Sequence, residues 1–181
     1  MTIGLSLKKT SSASVEAEIA SANAANKVLQ YLTFTLGFER FGVPILSIVE
    51  IIEYEAPVPV PGLPNLFVGV IDLRDTAVPV IELAACLNRA SESISKRTCI
   101  LIVETSSRAK HRRVGFVVDS VSEVVDIPNN LIEPPPVFGA MSAESYLIGT
   151  GRTESGFVVL LDFDPLISMY AGELVDEVHA D

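Results

Sequence analysis

Two histidines, two cysteines and 23 acidic side chains are the raw material for chemistry in this 181-residue chain. A Ser-His-acid relay needs an imidazole held against a nucleophile. His111 instead lies inside the basic run "RAKHRR" (108–113), and His179 lies close to the C-terminus. Cys86 and Cys99 sit in apolar runs, and with the histidines they do not reach ligand spacing, so they read as buried free thiols rather than a zinc site. "GTGRTESG" (149–156) is rich in glycine, but it joins two strand-like runs and leads into no helix, which a phosphate cradle requires. The carboxylates are numerous without a distinctive pair. These observations point to a module that binds rather than one that catalyses, with no metal and no cofactor.

One polar cluster stands out from its surroundings. "GVIDLRDTAVPVIEL" (69–83) reads as buried strand on both sides of Asp72, Arg74 and Asp75. A turn accounts for charge at that point. Arginine brings more, because its planar fork can hold one carboxylate and still offer donors to a partner. By pattern alone Arg74 is a solvated turn arginine and Glu50 a strand-end carboxylate, a pair contributing about 0–1 kcal/mol.

The elements that carry this cluster are extended. Residues 1–29 are polar, rich in Ser, Ala, Asn and Thr, and form an extension or a loosely docked helix, with Ser14 as its cap and Glu16 and Glu18 in its first turn. From Gln30 the period becomes two: "YLTFTL" places Tyr31, Thr33 and Thr35 on one face and Leu32, Phe34 and Leu36 on the other. Further strands follow at "RFGVPI", "SIVEIIEYE", "FVGVIDL", "AVPVIEL", "CILIVET" (99–105), "RVGFVVD" (113–119) and "SEVVDIP" (122–128). The prolines of "APVPVPGLP" (56–64) exclude helix, and "EPPPVFGAMSAES" is a long loop. "YLIGTGRTESGFVVLLDF" is a last hairpin, and "DPLISMYAGELVDEV" starts a helix with Asp164 as cap and Pro165 first.

The strands repeat. Gly42, Ile48 and Glu50 align with Gly115, Val121 and Glu123 at one offset, and Gly69, Val78, Val80 and Glu82 align with Gly149, Val158, Leu160 and Asp162 at another. Two similar all-β lobes follow, about residues 30–96 and 97–168, with ten or so short strands between them. Small closed barrels would remove exposed edges; a sandwich would show the same alternation.

Charge narrows the partners. With a net charge of −10 and a pI near 4.6, the chain repels nucleic acid and anionic lipid except at 108–113, where neither aromatic residues nor a wider basic face accompanies the run. No apolar run approaches a membrane span and no secretory signal precedes the strands, so no nucleic-acid partner and no membrane insertion are expected, and a cytoplasmic chain is.

The blocks "YLTFTLGFERFGVPILSIVEII", "PVPGLPNLFVGVIDLRDTAVPVIEL", "RVGFVVDSVSEVVDIPNNLIEPPP" and "YLIGTGRTESGFVVLLDFDPLI" resemble, in order, those of the CheW-like coupling domain. The resemblance spans about residues 30–168 within a domain taken as 30–172, with an acidic tail at 173–181. It implies two packed five-stranded SH3-like β-barrels with a C-terminal helix. It also implies a non-enzymatic adaptor joining the cytoplasmic tips of methyl-accepting chemoreceptors to the regulatory domain of a CheA-type histidine kinase, recruited to receptor arrays at the inner face of the membrane. An adaptor of a chemosensory pathway with another output, such as pili or surface motility, is the alternative, and a β-barrel enzyme or nucleic-acid binder is a more distant one. The family's partner-binding glutamate falls on Glu50, preceded by Ile48. Its turn arginine falls on Arg74, with Gly69 and Leu73 leading into it. Where the family has glycine after the arginine, this chain has Asp75, which adds a negative charge at a position expected to need positive φ. Ile48, Leu73 and Val70 are strand residues that a groove between lobes would expose to an amphipathic helical hairpin.

Overall fold

A computed structural model describes residues 12–104, 112–135 and 145–170. Within them lie the helix α1 (Ser12–Ala25) and eleven strands: β1 (Val28–Leu36), β2 (Glu39–Pro44), β3 (Ile48–Glu53), β4 (Phe67–Leu73), β5 (Thr76–Glu82), β6 (Cys99–Glu104), β7 (Arg113–Val118), β8 (Ser120–Pro128), β9 (Ile132–Glu133), β10 (Leu147–Thr153) and β11 (Gly156–Leu161). A short helix α2 (Leu83–Cys86) follows β5, and α3 (Phe163–Tyr170) follows β11. The strands read from period-two alternation are therefore present. His111 and His179 fall outside the described residues, as do residues 108–110 of the basic run and the acidic tail.

The strands form two curled sheets, in the orders β3-β6-β7-β5-β4 and β8-β1-β2-β11-β10-β9. The repeat is visible in their register. Val80 of β5 lies parallel to Gly115 of β7 in the first sheet, and Leu160 of β11 lies parallel to Gly42 of β2 in the second. Those are the residues the sequence alignment equates. The lobes, however, do not divide near residue 96. β1 and β2 join β8–β11, while β6 and β7 join β3–β5, so each lobe takes its two central strands from the other repeat. The chain changes sheet through the 3-10 turn Ile45–Ser47 and again at Asp119. A repeat records similarity between segments, and contiguous and exchanged lobes satisfy it equally.

The interior divides into three apolar clusters. One core lies between the sheets and is built around Phe34, Phe41, Phe116 and Phe163, with the Phe116 and Phe163 rings 4.5 Å apart. A second fills the first barrel with Ile71, Val78, Val80, Ile100 and Ile102. A third fills the other barrel with Tyr31, Ile127, Val158 and Leu160. β1 serves two of them, so both of its faces are buried rather than one. Thr33, expected on the polar face, is fully buried and trades hydrogen bonds with the backbone of Glu123 through its Oγ1.

The helix ends shift from their sequence-based positions. α3 begins at Phe163, and Asp162 Oδ1 accepts the backbone N–H of Asp164, so Asp162 rather than Asp164 is the cap. Within the described residues α1 covers Ser12–Ala25, which places Ser14 inside the helix and Glu16 and Glu18 beyond its first turn. It is exposed over its described side chains, and Asn129 Nδ2 donates to the carbonyl of Ala24 at its end. Of the thiols, Cys86 is buried as expected and Cys99 only half-buried.

Candidate functional site

The residues that the family resemblance singles out converge on the first barrel, at the two edges of its sheet. Strand β3 forms one edge and β4 the other, and they share no ladder. On β3 the alternation sends Ile48, Glu50 and Ile52 inward and leaves Val49, Ile51 and Glu53 exposed. Ile48 packs on the core between the sheets and Ile52 on the barrel interior. Glu50, between them, reaches across the gap between the edges. Its Oε1 accepts a hydrogen bond from Arg74 Nη2 at 3.2 Å. The pair thus ties the β3 edge to the tip of the β4–β5 hairpin, where backbone bonds do not.

Arg74 is 74% exposed and Glu50 28%. The pair is therefore not a buried unit, and its contribution to stability stays within about 1 kcal/mol. Its consequence is geometric: one guanidinium nitrogen is fixed on Glu50, and the remaining donors of the fork stay open to solvent.

The turn itself is strained. Arg74 has φ +52° and Asp75 φ +63°. Positive φ at both central residues of a two-residue hairpin is the type I′ geometry, which matches strand twist and favours Asn-Gly or Asp-Gly. A non-glycine residue there costs about 1–2 kcal/mol. The positive φ expected at position 75 is thus observed, and Arg74 shares it. Asp75→Gly is expected to stabilise the chain by about 1 kcal/mol, read from the midpoint of urea unfolding; an unchanged or lower midpoint would show that Asp75 holds the turn through its side chain.

The remaining candidates act from behind the surface. Leu73 is 9% exposed and belongs to the barrel interior. Gly69 is buried at a bulge, with φ +146° and the backbone of Val58 packed on its Cα. That approach lets Val58 exchange backbone hydrogen bonds with Val70. The proline-bearing segment is thereby held beside β4 and an open groove of about 530 Å³ forms. Val58, Val60, Val70 and Ala77 line it, with Asp72 and Asp75 among its walls.

Sequence reasoning singled out Ile48 but not Leu46, Val49 or Ile51. Leu46 is 95% exposed, and Val49 and Ile51 stand on the outer face of β3. Their signal was present in "SIVEIIEYE", where both faces of one strand are apolar though an edge strand has a single face to bury. The second barrel differs at the matching place. Glu123 of β8 pairs with Arg40 from β2 at 3.6 Å, not with its own hairpin tip, which carries Glu154. Among the described residues no group of three or more potential ligands could hold a metal ion, and no helix is long and apolar enough to cross a membrane.

Comparison with known proteins agrees with this geometry. The family model described as the CheW-like domain matches residues 30–171. The chemotaxis protein CheW of Klebsiella aerogenes is 33% identical over 149 residues, covering 82% of this chain and 87% of the relative. Protein FrzA of Myxococcus xanthus is 30% identical over 152 residues, covering 82% and 91%. The crystal structure of the scaffolding protein TtCheW from Thermoanaerobacter tengcongensis superposes with a TM-score of 0.66 at 27% identity, covering 75% of this chain and 90% of that one. The chain belongs to the CheW-like domain family, a family of scaffold adaptors rather than enzymes.

Proposed function

We propose that this chemotaxis adaptor couples the cytoplasmic tips of chemoreceptors to the regulatory domain of a CheA-type histidine kinase. It acts in the cytoplasm and is recruited to receptor arrays at the inner face of the membrane. The observation that carries this reading is the Arg74–Glu50 pair at the edge of the first barrel, on a strand whose opposite face exposes Val49 and Ile51. An oriented cationic fork and an exposed apolar face carried by one edge strand suit an amphipathic helical or strand partner: the apolar side chains supply contact area and the fork sets register. The chain works by placing two partners in one assembly. Individual contacts of this size bind weakly, and linked copies in an array multiply their strength.

The test is calorimetric titration of the purified chain with a receptor-tip fragment and, separately, with the kinase regulatory domain from the same cell. Saturable binding of each, and recovery of all three together in one assembly, is the expected outcome. Recovery of neither partner would overturn the reading.

A further inference from the structure

The two hairpins that the sequence repeat equates carry opposite chemistry at the same places. In the first barrel Asp72 of β4 stands opposite Ala77 of β5, one step in from the turn. In the second barrel Arg152 of β10 stands opposite Phe157 of β11, again one step in. The offset that aligns Gly69 with Gly149 aligns these residues too, and it sets Arg74 against Glu154 at the turns. From one barrel to the other, an acid is exchanged for a base, a base for an acid, and a small apolar side chain for an aromatic one.

On the first hairpin the small Ala77 leaves room. The groove of about 530 Å³ opens there, its apolar lining of Val58, Val60 and Val70 bounded by Asp72 and Asp75. Val58 is 69% exposed, so this lining faces water. On the second hairpin a ring stands at the equivalent place. Phe157 is 57% exposed, and the guanidinium carbon of Arg152 lies 5.0 Å from its centroid. Aromatic residues and arginine are the types that protein interfaces enrich. Asp72, Asp75, Arg152 and Glu154 enter no ion pair among the described residues. The groove therefore lacks an apolar occupant with a positive charge, and the second hairpin displays one.

From this complementarity we infer that copies of this chain associate through unlike surfaces, the Phe157–Arg152 pair of one copy seating in the groove beside β4 of another. The ring covers Val58, Val60 and Val70, and the guanidinium meets Asp72 and Asp75. The two hairpins belong to different sheets, so each copy offers one groove and one aromatic knob. A single knob in a single groove is smaller than a standard interface, so association is weak and depends on concentration. The net charge of −10 opposes it at long range, and the opposite charges at the contact offset that repulsion locally. Neither a receptor nor a kinase enters this contact, so it stands apart from the coupling function proposed above.

Sedimentation equilibrium of the full chain, without partners, tests the contact. At about 0.15 M salt, charges separated by more than about 8 Å are screened, which suppresses the long-range repulsion. The mean mass of the natural chain is expected to rise with concentration up to about 1 mM, a range that captures weak association. Phe157→Ser removes the knob, and Ala77→Arg places a cation in the groove. Both positions are exposed, so the thermal melts should be unchanged, and each variant alone should stay monomeric. An equimolar mixture of the two retains one intact knob and one intact groove, so it should form a 1:1 heterodimer. Arg152→Asp should weaken association of the natural chain about tenfold, and adding Asp72→Arg to it should recover most of that loss. A natural chain that stays monomeric throughout would overturn the proposal, as would association that survives both Phe157→Ser and Ala77→Arg, or a mixture of those two that forms no heterodimer.

Discussion

Replacement of Gly69 by alanine is expected to cost about 3–5 kcal/mol, enough to remove most of the margin of a small domain. Two causes act at once. The residue has φ +146°, a region L side chains rarely adopt, and the added Cβ would run into the carbonyl oxygen and carbon of Val58. That carbonyl cannot withdraw. It accepts the N–H of Val70 at 2.9 Å, while the N–H of Val58 donates back to Val70 at 2.8 Å. Moving it would break both bonds and release the proline-bearing segment from β4. Gly62 supplies the control, since it has φ +86° but nothing within 4 Å of the place a Cβ would take, so Gly62→Ala should cost only the backbone penalty of about 1 kcal/mol. Urea unfolding of the two variants separates them. Equal losses would mean that the close approach of Val58 contributes nothing beyond φ. The same test can be repeated at Gly149, which has φ +152° and lies under the carbonyl of Glu133.

That pair of glycines also shows how far the sequence could be read. Gly69 and Gly149 align in the sequence repeat, and both sit at a bulge under a crossing backbone in their respective barrels. Local chemistry made them legible, because few positions demand glycine and those that do recur with the fold. Strand positions were legible for a similar reason: an apolar period of two arises from little besides a strand with one buried face. Sheet membership was not. β1 pairs with β8, about ninety residues away, and no local pattern encodes a partner at that distance. The site divided along the same line. Arg74 and Glu50 were legible through family resemblance, but their exposure was set by how the two edges of the first sheet curl toward each other. Leu73, a site candidate through the family resemblance, is part of the barrel interior. The positive φ at Arg74 itself had no signal, since arginine is an unusual choice for that half of a type I′ turn.

An arginine kept at positive φ, where asparagine or glycine would relieve strain, argues that its side chain serves something outside the fold. Arg74→Glu is accordingly expected to weaken binding of the receptor tip or the kinase domain by about 10–100-fold, about 1.4–2.8 kcal/mol. The thermal melt should shift little, because the pair it breaks is largely exposed. The variant also puts a second carboxylate beside Glu50, so lost binding could arise from a displaced β3 edge as well as from the missing fork. Exchanging both residues, Glu50→Arg with Arg74→Glu, separates these causes. The exchange rebuilds an ion pair across the same gap but moves the guanidinium from the hairpin tip to the strand. If binding returns, the pair acts by holding β3 and the hairpin in register. If binding stays low while the melt is normal, the fork at position 74 contacts the partner directly. Full binding by Arg74→Glu alone would remove Arg74 from the interface and leave Leu46, Val49 and Ile51 to account for recognition without it.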